Sequence, residues 1–215
     1  MGCGPSSPSK SEGGKKPSHT NFEMHNLNPL SYTPDSAESQ IRSYVVTKVH
    51  FVAHSVLRNG GNHWDIFLQC GPDLSVRLEI VPGAYPGREG YLARLDIIRH
   101  PYGMTRVSHK TVSISPQAPG LTVGEFLDAI VRADNHRYEF TKDGRGCGGW
   151  VRDQFYLFVQ CGLIPTGWEA RIEAAMTVFW NENRSQGAWP LTYGTYLRTR
   201  NTGRKGKGKQ KRGKK

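Results

Sequence analysis

Cys147 lies in GRGCGGW, a glycine cluster that runs directly into the apolar positions Trp150, Val151, Phe155, Phe158 and Val159. A cysteine placed there opens a helix, and the free N–H groups and dipole of a helix amino terminus favour the thiolate over the thiol. The chemistry on offer is attack of that thiolate on an acyl, amide or thioester carbon. Such a nucleophile needs an imidazole to take its proton and a third group to orient the imidazole. His63, in NHWDIFLQC, is the first candidate base; His136, eleven residues before the cysteine, is its rival, and His109 is a third. Glu79 and Asp65 are the candidate orienting carboxylates. The backbone N–H groups of Cys147 and Gly148 are the candidate oxyanion donors, since glycine leaves the approach open.

A structural reading competes with this one. Glycines around a cysteine also serve a sharp turn, with the cysteine as a small buried filler, and a histidine at a strand edge also serves the hairpin beside it. Strand alternation adds an objection, because it puts His63 on the face opposite Trp64, Ile66 and Leu68. A helix packed on the tryptophan face would then hold Cys147 on the wrong side. Cys70 and Cys161 sit in apolar strand and helix patterns and are expected to be inert core thiols.

The elements that must position these residues come in two blocks. From Ser43 the chain alternates β-branched and aromatic residues: a strand over 44–57, the turn RNGGN, a returning strand over 63–70, and a third around Val76, Leu78 and Ile80. Further strands are expected over 91–98 and 106–114. The second block is helical. Thr122 and Glu125 form a capping box ahead of Val123, Phe126, Leu127, Ile130 and Val131, which follow the helical period. The helix opened by Cys147 is stopped by Gly162, and a third begins at a second capping box, Thr166 to Glu169, and runs to about Asn183. Residues 189–197 read as a closing strand or packed loop. The expected fold is α+β: a mostly antiparallel sheet of about five to six strands followed by three helices packed on it.

With 215 residues, 36% of them hydrophobic, the chain is long enough for one domain, placed at 41–197, plus tails. Residues 1–40 are rich in Ser, Pro, Gly and Asn and are expected to be a disordered arm. It opens MGCGPS, which fits the pattern for acylation at Gly2 with Cys3 beside it as a second lipidation site. Residues 198–215 read as a disordered tail. Its Arg204, Lys205, Lys207, Lys209, Lys211, Arg212, Lys214 and Lys215, with no acidic residue among them, carry most of the formal charge of +11. Basic density of this kind binds nucleic acid or anionic lipid without sequence preference, or acts as a localisation signal; the bland reading is a solubilising tail. The four cysteines lack a C-x-x-C motif, and no run is apolar enough for a membrane-spanning helix. An intracellular protein, cytoplasmic or nuclear, with peripheral membrane anchoring through lipidation, is the expectation. Scattered Cys and His residues without finger spacing leave no metal expected, and no cofactor is implied.

The segments NHWDIFLQC, SVRLEI, APGLTVGEFLDAIV, HRYEFTKDGRGCGGWVRDQFYLF and WPLTYGTYL, in this order, resemble a family of uncharacterised proteins found mainly in filamentous fungi. The resemblance covers roughly residues 43–197 and implies a fungal origin but no established activity. Where that family has an Arg–aromatic pair just after the cysteine, this chain has Gly148-Gly149, which implies a looser helix entrance. A histidine at a strand start, further strands and a cysteine opening a helix is also similar in architecture to the circularly permuted papain-like group that includes the lecithin retinol acyltransferase-like proteins. Matched residue by residue, that likeness implies only His63 as base and Cys147 as nucleophile. Two function classes follow: a Cys–His hydrolase or acyltransferase acting on a small-molecule or protein substrate, or a non-catalytic interaction domain tethered by its tails.

Overall fold

The computed structural model describes residues 29–58 and 60–197. Gly2, Cys3 and the eight basic residues from Arg204 to Lys215 lie outside them.

The alternating segments form a sheet in the order β10-β7-β5-β4-β3-β2-β6. Its long strands are β2 (Lys48–Val56), β3 (Asn62–Gly71), β4 (Leu74–Pro86) and β5 (Tyr91–His100), each antiparallel to the next, with β6 (Lys110–Ile114) on the far side of β2. β7 (Tyr138–Phe140) and β10 (Thr195–Tyr196) extend the other end. The fold is α+β and mostly antiparallel, as the order of sequence patterns implied.

One parallel pairing was not expected. β1 (Leu30–Thr33) runs parallel to β5, and α1 (Glu38–Ser43) follows it, burying Ile41 completely. β1 and the first three residues of α1, Glu38 to Gln40, fall inside the arm of residues 1–40 read as disordered. That reading is corrected from residue 30 onward, because Tyr32 and Ile41 supply enough apolar burial to order a segment whose average composition is polar.

Three helices complete the chain. α2 (Val123–Arg132) has the expected capping box, with the Thr122 N–H donating to Glu125 Oε2 at 2.7 Å. α3 (Cys147–Gln160) packs Trp150, Val151, Phe155 and Phe158 against the sheet face that carries Trp64, Ile66 and Leu68. Phe51 meets Phe155, and Phe126 meets Phe158, both edge to face at 5.6 and 5.0 Å between ring centres. α4 (Glu169–Met176) is shorter than expected. Glu169 spends its carboxylate on the Gly167 N–H instead of completing a box with Thr166, and the chain after Met176 turns into a hairpin of β8 (Val178–Asn181) and β9 (Arg184–Ala188). Glu182 and Asn183 adopt positive φ at that hairpin's turn, which a helix to Asn183 cannot accommodate.

The face of the sheet away from the helices is not bare. Phe67 is fully buried there, stacked between His54 at 6.5 Å and His100 at 6.0 Å, and His100 stacks in turn on Tyr102. Asp65 and Ser75 are buried on the same face. The sheet therefore separates an apolar helical core from a second, polar and aromatic one.

Candidate functional site

Cys147 is the first residue of α3, and its N-cap is Gly146 at φ 145°, a conformation that only glycine adopts without strain. The turn before it is held by two bonds from opposite ends: Thr141 N–H donates to the Arg145 carbonyl at 3.0 Å, and Arg145 N–H to Thr141 Oγ1 at 3.1 Å. Tyr138 fixes the entrance from below, donating its hydroxyl to the Gly146 carbonyl at 3.0 Å and accepting the Gly194 N–H at 2.5 Å. The thiol is thus placed by a rigid loop rather than by a free one.

His63 reaches that thiol. The His63 imidazole and the Trp64 backbone N–H lie close enough to the Cys147 sulfur to favour its anion over the thiol. Two irregularities in the strands dispose of the alternation objection. The β3–β4 ladder begins only at Ile66 opposite Leu78, so the rungs at Trp64 and Asp65 are left open toward β4. On the other side, β2 carries a register shift between Ala53 and Ser55, opposite Trp64 and His63. A bulge bends and twists its strand, and the start of β3 is where inside-outside alternation no longer decides which groups can meet. Cys147 sits at the splayed end, within reach of a backbone N–H from the sheet and of a side chain on the second face.

The imidazole is held from behind. His63 Nε2 donates to Glu79 Oε1 at 2.9 Å and lies 3.0 Å from Asp65 Oδ1, whose side chain is fully buried and accepts no well-aligned hydrogen bond among the described residues. The second oxygen of Glu79 is bonded to Arg77. Arg77 offsets the charge of Glu79, which leaves Asp65 as the uncompensated negative neighbour of the ring.

These contacts move both titrating groups. Burial alone pushes the His63 pKa down, but contact with Asp65 and with Cys147 outweighs it and raises the value to about 10. For Cys147 burial disfavours the thiolate, yet the His63 side chain and the Trp64 N–H outweigh that and bring the pKa below the ordinary thiol value. Opposite shifts of this kind favour a thiolate–imidazolium pair over two neutral groups. Cys70, half-buried with nothing to stabilise its anion, is pushed up to about 12 by burial. Cys161, expected in the core, is instead exposed at the carboxyl end of α3.

The remaining candidates fall elsewhere. His136 is buried among Ile130, Asp134 and Arg137, and burial lowers its pKa; the imidazole that acts on Cys147 is that of His63. His109 Nδ1 accepts the Glu182 N–H at 2.9 Å, which ties the β8–β9 hairpin to the sheet. Gly148 lies beside the thiol in the first turn of α3, where backbone N–H groups have no partner within the helix.

Sequence reasoning missed the cover over the site. Residues 189–194 cross the amino terminus of α3 as a strap. A Cβ on Gly148 would lie 2.9 Å from Leu191 Cδ2, and one on Gly149 2.7 Å from the Thr192 carbonyl oxygen. The glycine pair read as a looser entrance is in fact buried, and its missing side chains are the space the strap fills. Between strap and helix remains a cavity of about 30 Å³ at Cys147, room for little more than a water molecule or two. The signal was present in WPLTYGTYL, but nothing local in that segment says which surface it covers.

A family profile for a domain of unknown function, DUF7770, matches residues 49–197. The chain belongs to the DUF7770 family. The matched region takes in β2 to β10 and every residue of the Cys147–His63 arrangement. No curated protein and no solved structure matches the chain. In this DUF7770 domain the ligand atoms of His63, Asp65 and Glu79 also lie within 4.8 Å of one another, close enough to hold a divalent ion. Arg77 bonded to Glu79 and the shared imidazole of His63 both oppose a cation there.

Proposed function

We propose that this DUF7770 domain is a papain-like thiol enzyme, a hydrolase or acyltransferase, with Cys147 as nucleophile and His63 as its acid–base partner. The observation that carries the reading is the placement of a helix-opening cysteine beside an imidazole that Glu79 and Asp65 hold from behind. With Nε2 donated to Glu79, Nδ1 is the ring nitrogen left to exchange a proton with the thiol.

The thiolate attacks the carbonyl carbon of an ester, thioester or amide, forming the C–S bond. The oxyanion collects on the N–H groups of Cys147 and Gly148 at the start of α3. His63 gives its proton to the departing alcohol, thiol or amine as that bond breaks. Water or an acceptor then attacks the acyl-enzyme, His63 takes the incoming proton, and the cysteine leaves as thiolate. Asp65 and Glu79 keep the imidazole oriented and charged throughout; they touch no substrate and act as positioning residues. The fungal likeness and the papain-like architecture fit this reading, and the amino-terminal lipidation and basic tail would serve it as tethers.

The test is alkylation by iodoacetamide, resolved by mass spectrometry for each cysteine across a pH series. Cys147 is expected to react well below pH 8.5, a typical free-thiol pKa of about that value being the reference, while Cys70 stays unreactive and the exposed Cys161 serves as the comparison. Turnover should need Cys147 deprotonated and His63 protonated, so activity rises above the depressed cysteine pKa and falls as pH passes about 10. Equal labelling of Cys147 and Cys161 at every pH would return the domain to the non-catalytic class.

A further inference from the structure

Arg145 stands two residues before the nucleophile and lines the same cavity as Cys147. The rest of that wall is apolar or uncharged, with Leu57, Trp64, Met176, Val178, Trp189 and Leu191 contributing side chains, and no other charged residue among the described residues lines it. The guanidinium lies 5.1 Å from the centre of the Trp189 ring and pairs with no carboxylate among the described residues. A half-buried arginine normally finds an acid, because its charge loses hydration without one. This one rests on the face of Trp189, itself a wall of the cavity, while its backbone is pinned at both N–H and carbonyl by Thr141.

We propose that Arg145 is the anion-recognition residue of the Cys147 cleft, and that the substrate carries a carboxylate or phosphate close to the carbonyl under attack. The inference rests on the thiol-enzyme reading and adds a substrate class to it. A planar guanidinium suits both anions through paired N–H donors, and the indole of Trp189 keeps it in place while it waits. A cavity of about 30 Å³ holds no acyl group, so substrate entry requires the strap of residues 189–194 to move off α3; the apolar walls then contact the remainder of the acyl group, and their low dielectric strengthens the charge contact. An uncharged substrate of the same size would leave the guanidinium unpaired beside the reacting carbon.

The experiment compares two alkylating reagents that differ in charge alone, iodoacetate and iodoacetamide, on the full chain, with the exposed Cys161 as internal reference. The expected result is that Cys147 prefers iodoacetate relative to Cys161, that Arg145→Gln reduces this iodoacetate-to-iodoacetamide ratio by roughly tenfold, and that added salt reduces it in the wild type. Arg145→Lys should keep part of the preference. A ratio unmoved by Arg145→Gln overturns the anion site, whatever the absolute rates. Failure of the thiol-enzyme reading looks different: Cys147 then reacts with iodoacetamide no faster than Cys161 at low pH, in wild type and variant alike.

Discussion

Replacing His63 with glutamine is expected to slow alkylation of Cys147 by about 10²-fold near neutral pH, the scale of a lost acid–base partner. Burial by itself disfavours the Cys147 anion, and the His63 contact and charge are the largest effects opposing it. Glutamine keeps a polar side chain toward Glu79 but cannot carry the proton. The deficit should shrink only well above the ordinary thiol value, because burial without His63 raises the pH at which Cys147 ionises; a general loss of structure would slow labelling at every pH. Asp65→Asn provides the second arm. Asp65 heads the contacts that hold His63 at about 10, so neutralising it should bring the alkaline limb of the profile down without removing the base. The rate is measured by per-residue mass spectrometry, with tryptophan fluorescence as the control for folding.

Trp150→Ala is the largest stability effect expected, a loss of about 3–5 kcal/mol and a fall in Tm on the order of 10 °C. Trp150 is fully buried one turn into α3, and its indole N–H donates to the Asn135 carbonyl at 2.7 Å. Truncation leaves both a cavity under the helix and an unpaired carbonyl that Gln154 cannot reach, since its amide is committed to Asn135 Nδ2 and to the Trp150 carbonyl. Because Trp150 ties the first turn of α3 to the loop before β7, the same variant should loosen the placement of Cys147. Thermal unfolding followed by circular dichroism measures the first effect, and labelling of Cys147 at low pH the second.

The parts of this fold that show in the sequence are those with a local period or cap. α2 announced itself through Thr122 and Glu125, and β3 and β4 through alternating Trp64, Ile66, Leu68 and Val76, Leu78, Ile80. The site showed as residue types at suggestive places: a cysteine at a helix entrance, a histidine at a strand start, carboxylates on the same and the next strand. What joins them was not legible. Alternation assumes a regular ladder, and the meeting of Cys147 with His63 depends on rungs left open beside Trp64 and on a register shift in β2. The strap over α3 is a contact between residues more than forty apart, which no local pattern encodes. α1 and β1 were hidden for a different reason: their ordering comes from a few buried side chains in a segment of otherwise polar composition.

The central claim is that Cys147 and His63 share a proton so as to hold a thiolate near neutral pH. Thiolate absorbance in the ultraviolet, titrated on the chain carrying Cys3→Ser, Cys70→Ser and Cys161→Ser, measures it directly. The account predicts a thiolate that forms well below the ordinary value of about 8.5 and moves to higher pH in the His63→Gln background. A single titration at or above that value, unmoved by His63→Gln, would contradict it.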